Sequence, residues 1–91
     1  MKYLLLYEAA DDFRPAAAAN LAAHRAWLHE FHDRGTLLMA GPLGDPADGS
    51  SLAVFTSQEA AKEFAAGDPF VCNGVVAQWY VREWNEVLAQ P

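Results

Sequence analysis

The sequence predicts an α+β domain of the ferredoxin-like βαββαβ type, a four-stranded antiparallel sheet with two helices on one face. Three observations predict it. Short segments rich in leucine, β-branched and aromatic residues alternate with Ala-rich helical segments, in the order strand, helix, strand, strand, helix, strand. The chain has 91 residues, which allows a single domain over residues 1–91. Hydrophobic residues make up 53% of it, more than one small core needs, so part of this apolar surface calls for a cover.

Each element follows from local chemistry. Lys2 to Glu8 (KYLLLYE) is short, aromatic and almost continuously apolar, as in a strand covered on both faces. From about Pro15 to Arg34 the chain is Ala-rich and opens with a proline suited to a first helical turn. Leu21, His24, Leu28 and Phe31 fall on one face of that helix, flanked by Ala17 and Trp27, whereas Arg25, His29, His32 and Asp33 point elsewhere. Gly35 is a helix stop.

Thr36 to Ala40 reads as a second strand, ended by Gly41-Pro42, and the GDPADGS stretch from Gly44 is a loop. Ser51 to Thr56 reads as the third strand. Thr56 and Glu59 have capping-box spacing, so a second helix starts there and runs to Gly67. Asp68-Pro69 is a fresh cap with a proline at the first position of a short turn or helix. Asn73-Gly74 marks a turn, and Val76 to Trp84 is the fourth strand.

In the first and fourth strands both faces carry large apolar side chains: Tyr3, Leu5 and Tyr7 against Leu4 and Leu6, and Tyr80 and Trp84 against Trp79 and Val81. Two helices cover only one sheet face. The other is expected to be covered by a second copy of the chain, giving a homodimer.

Net charge is −6, and the six basic residues form no cluster. Phosphate backbones and anionic lipid surfaces both need clustered Lys and Arg, so neither nucleic acid nor membrane is an expected partner. No signal peptide is visible, and no apolar stretch approaches the length of a membrane span, so the reading is a cytoplasmic protein. The lone Cys72 lies in an apolar run, as a small core filler would.

Among residues able to carry chemistry, His24 stands out because an imidazole in an apolar stripe faces the sheet. It reads either as a core histidine with one hydrogen bond or as a general base tuned by a carboxylate. Asp68 is the carboxylate to ask about, although a helix cap explains it equally well. His29 and His32 share a helical face, but that face is polar and no HExxH pattern is present, so no metal site is expected. Ser50 and Ser51 lack a nucleophile elbow and read as loop or substrate-contact serines. No glycine-rich phosphate loop occurs.

Taken together, KYLLLYE, HRAWLHEFHDRGTLLMAGPL from His24, GSSLAVF from Gly49, EAAKEFAAGDPFVCNGV from Glu59 and the closing WYVREW resemble the YCII-related (YciI-like) family, from residue 1 to about residue 84. The resemblance implies a dimeric α/β barrel formed through the sheets, with His24 and Asp68 as an active-site pair. It also places Gly41, Pro42, Ser50 and Phe70 around a substrate pocket. Many members carry an arginine three residues before the histidine. Here that position is Leu21, which implies a different or neutral ligand.

HCl elimination from a chlorinated hydroxyquinol and muconolactone isomerisation, activities tied to this family and fold, imply proton abstraction beside a carbonyl or enol without metal or organic cofactor. The expectation is thus a cofactor-independent lyase or isomerase acting on a small cyclic or aromatic molecule. A non-catalytic dimeric small-molecule-binding protein is the alternative, and a cofactor-free monooxygenase is a third reading from fold analogy.

Overall fold

A computed structural model describes residues 1–90. Its elements are β1 (Lys2–Ala9), α1 (Arg14–Asp33), β2 (Leu37–Pro42), β3 (Ser50–Phe55), α2 (Gln58–Gly67), the single turn α3 (Pro69–Cys72) and β4 (Val76–Trp84). The four strands form one antiparallel sheet in the order β2-β3-β1-β4. This is the expected ferredoxin-like arrangement.

Local differences from the sequence reading have physical causes. β2 continues through Gly41 and Pro42, which pair with Leu52 and Ser51. An edge strand tolerates proline because one row of its N–H groups has no ladder partner. The cap of α2 is Ser57, whose hydroxyl accepts from the Ala60 N–H at 3.1 Å. Thr56 stays with the sheet, its N–H donating to the Thr36 carbonyl at 3.0 Å. Cys72 is exposed rather than a core filler, while Phe70 and Val71 are half-buried. The end of α1 is as expected. Gly35 takes φ 83°, its N–H donates to His32 O, and the Thr36 N–H reaches back to Phe31 O.

The core lies between one sheet face and the helices. Leu5, Tyr7, Leu37, Ala53 and Phe55 project from the sheet, and Phe31 and Phe64 meet them from α1 and α2. Phe31 and Phe64 pack edge to face with centroids 5.2 Å apart, and Phe55 lies 5.4 Å from Phe64.

α1 turns His24, Leu28 and Phe31 inward as expected, but its line of contacts with α2 and α3 is shifted away from Leu21. That line runs through Asn20, His24, Trp27 and Phe31, each touching the α2–α3 region. Asn20 accepts from Asn73 Nδ2 at 2.8 Å, and Trp27 Nε1 donates to the Phe64 carbonyl at 2.9 Å. Leu21 is 38% exposed instead of buried.

Gly67 makes this docking possible. A Cβ there would lie 2.5 Å from Trp27 Cζ2. Its glycine therefore serves close approach, and α2 ends because Asp68, which precedes Pro69, is extended. Gly67→Ala should destabilise the fold by about 1–3 kcal/mol and change Trp27 fluorescence, as read by urea unfolding. Unchanged stability would show that the indole moves aside freely.

The opposite sheet face carries Leu4, Leu6, Met39, Leu52, Tyr80 and Trp84, as the strand register requires. Met39, Tyr80 and Trp84 are 68%, 44% and 47% exposed, and no described element of the chain lies over them.

Candidate active site

A cleft of about 350 Å³ opens between α1 and the β2–β3 end of the sheet. Its origin is a choice of small side chains. On the helix-facing side, Ala40 pairs with Ala53 and Pro42 with Ser51, while the other end of the sheet holds Leu37 opposite Phe55. Large residues fill one end and leave the other hollow. Leu21, His24, Arg25 and Leu28 of α1 form the roof, and Leu5, Phe64 and Phe70 complete the apolar wall.

His24 is brought to this cleft by the docking of α1 on α2 and α3. Its Nδ1 lies 2.7 Å from Asp68 Oδ1, although 44 positions separate the two residues. Its ring stacks on Phe70 with centroids 3.8 Å apart and planes 2° from parallel. Phe64 meets the ring edge-on at 6.5 Å. The imidazole is thus clamped by a carboxylate on one edge and an aromatic ring on one face.

Asp68 is fully buried. It accepts from the Tyr7 hydroxyl at Oδ2, 2.7 Å, and from the Phe70 N–H at Oδ1, 3.0 Å. With both of these donating to it, the proton between His24 and Asp68 is assigned to Nδ1. That choice leaves Nε2 as the unprotonated nitrogen of the neutral ring. Burial, and then the neighbouring Asp68 carboxylate, push the Tyr7 phenol far above its ordinary range, so Tyr7 remains a donor. Capping α3 and holding the imidazole are therefore one task for Asp68. Among the described residues no buried side-chain nitrogen or oxygen lacks a hydrogen-bond partner.

The remaining expected site residues divide. Gly41, Pro42 and Phe70 line the cleft. Gly41 does so through its backbone, and a Cβ on it would meet no atom within 4 Å. Ser51, rather than Ser50, lines the cleft, because Ser51 shares the helix-facing side with Ala53. Ser50 lines an adjoining pocket of about 130 Å³, which shares Tyr7, Pro42, Ser51 and Phe70 as walls.

Two lining residues escaped the sequence reading. Tyr7 reads only as a strand aromatic, and its meeting with Asp68 depends on tertiary packing. Arg25 reads as pointing away, yet it lines the cleft because the contacts of α1 are shifted away from Leu21. His32 bonds the Leu37 carbonyl through Nδ1 at 2.9 Å, and among the described residues no three His, Cys, Asp or Glu side chains group as metal ligands.

Comparison with known proteins identifies the fold and the family. Two proteins called YciI, from Escherichia coli O6:H1 and Shigella flexneri, are each 40% identical over 76 residues, spanning 72% of this chain and 78% of theirs. The solved structure of 5-chloro-2-hydroxyhydroquinone dehydrochlorinase from Burkholderia phenoliruptrix, in complex with 2,5-dihydroxybenzoquinone, superposes with a TM-score of 0.75. That match has 22% identity and covers 93% of this chain and 94% of that one. At that identity the likeness establishes the shared fold. The family model of the YCII-related domain matches residues 1–85, nearly the whole chain, and the chain belongs to the YCII-related domain family.

Proposed function

We propose that this protein is a cofactor-independent lyase or isomerase that abstracts a proton from a small cyclic or aromatic metabolite. His24 is the base and Asp68 its orienting partner. The observation that carries this reading is His24 in the wall of an apolar cleft, its Nδ1 bonded to the buried Asp68 behind it, which leaves Nε2 for a ligand. Asp68 holds the tautomer and stabilises the imidazolium that forms when Nε2 takes the proton. Phe70 keeps the ring from turning, and Gly41, Pro42 and Phe70 shape the ligand space. Ser50 lies where a longer ligand would enter the adjoining pocket.

The neighbour of the same fold is a dehydrochlorinase of a hydroxylated ring, and it holds a dihydroxybenzoquinone. Elimination of that kind asks for one base: a proton goes to the base as chloride leaves with its electron pair. His24 is the group in the cleft suited to that step, and a volume of about 350 Å³ accommodates a ring with its substituents. The test is incubation with chlorinated hydroxyquinols and unsaturated cyclic lactones, following product by absorbance and mass. Conversion of one such class is expected. Thermal stabilisation by these compounds without conversion of any would favour the alternative, a non-catalytic small-molecule-binding protein.

The same reading makes the protein a homodimer joined through the outer sheet face. Apolar Leu4, Leu6, Leu52, Met39, Tyr80 and Trp84 support it, since monomers rarely leave such a patch wet. Sedimentation should give twice the 9.9 kDa chain mass. Tyr80→Glu should return a folded monomer, because Tyr80 is 44% exposed in the single chain. A monomeric parent protein would contradict this assignment.

A further inference from the structure

The cleft has a charge bias opposite to that of the chain. The protein carries twelve acidic and six basic side chains, yet no Asp or Glu lines the cleft. Asp68 stands behind the imidazole with its oxygens engaged by Tyr7, His24 and Phe70. The lining contains one permanently charged group, Arg25, exposed on α1 between Leu21 and Leu28. Arg34 and Lys2 are paired with glutamates, whereas Arg25 has no ion-pair partner among the described residues. An unpaired guanidinium at the mouth of an apolar, acid-free cleft attracts anions. The low-dielectric walls concentrate its field, and its planar fork suits an oxyanion.

We infer that the cleft selects a small planar monoanion, a phenolate or enolate on a single ring, and that Arg25 is the specificity-determining residue that binds its charged oxygen. This rests on the cleft being the ligand site. Of the different or neutral ligand that Leu21 implied, this sets aside the neutral one, since Arg25 lies one helical turn further along the same face. The cleft, of about 350 Å³, accommodates a ring with its substituents, and Leu5, Ala53 and Phe64 give the ring apolar surface.

The test compares 4-nitrophenolate with 4-nitroanisole, at a pH well above the ionisation of the phenol, by calorimetric or absorbance titration of the full chain. The phenolate should bind roughly 10-fold or more tightly than its uncharged ether, as a charge-assisted hydrogen bond permits. Arg25→Gln should remove that preference by weakening the phenolate while leaving the ether unchanged, and Arg25→Lys should restore part of it. Equal affinities in the parent protein would overturn the inference. So would a preference that survives in Arg25→Gln, or no saturable phenolate binding up to ~10 mM, the weak end of specific recognition. Because the readout is binding, a protein that holds the phenolate through Arg25 yet converts nothing would retain this inference and lose the catalytic one.

Discussion

Replacing Asp68 with alanine should destabilise the protein by about 3–5 kcal/mol, because three donors lose their acceptor at roughly 1–3 kcal/mol for each one left buried and unpaired. The residue is fully buried and accepts from three donors. Alanine would leave the Tyr7 hydroxyl and the Phe70 N–H facing each other's vacated space, and α3 would lose its cap. Against a total stability of roughly 5–15 kcal/mol for a domain of this kind, that is a large share.

Asp68→Asn separates charge from shape. Its amide oxygen can still accept at the Oδ1 position from His24 and Phe70, and its NH₂ would face Tyr7, whose hydroxyl can turn to accept. The loss should then be about 1–2 kcal/mol. Urea unfolding of both variants checks the pair of values. Equal losses would mean that the hydrogen bonds to Asp68 do not carry the effect.

Replacing His24 with glutamine should lower turnover of a converted substrate by roughly 10²–10⁴-fold, the contribution of a positioned general base. Stability should change by less than about 1 kcal/mol, because the glutamine amide can donate to Asp68 in place of Nδ1–H. Steady-state kinetics beside thermal unfolding makes the comparison. Unchanged turnover in a folded variant would remove His24 from the chemistry, and loss of turnover together with loss of fold would assign it a structural task.

How much of this was legible in the sequence depends on whether the cause is local. Gly35 after a long amphipathic helix, Asp68 before Pro69, and the β-branched and aromatic run from Val76 to Trp84 are local signals, and each element formed where those signals lie. His24 was legible as an inward imidazole for the same reason. The cap falls at Ser57 although Thr56 offers the same chemistry one residue earlier, because the Thr56 N–H bond to the Thr36 carbonyl ties that residue to the end of the sheet.

The shift in the contacts of α1 was not legible. A stripe of Leu21, Leu28 and Phe31 looks buried by hydrophobicity, and Leu28 and Phe31 do pack on the core, but Trp27 docks on Gly67 through a contact 40 positions away and Leu21 is turned outward. That one docking buries the Asn20–Trp27 line, moves Leu21 to the cleft, and brings Arg25 into the lining. Tyr7 was hidden likewise, since its partner Asp68 is 61 positions distant. The hollow itself follows from the β2–β3 register, which sets Ala40 opposite Ala53 and Pro42 opposite Ser51. Composition alone does not reveal which small residues face each other.

Nitrogen-resolved NMR of the His24 ring, in the parent protein at a pH where the ring is neutral, bears most directly on these conclusions. A buried carboxylate that fixes the imidazole should give a slowly exchanging proton on Nδ1 and a bare Nε2 whose shift moves when a ligand enters the cleft. A proton resident on Nε2, or averaged shifts for both nitrogens, would mean that Asp68 does not hold the ring and that no base nitrogen is presented to the cleft.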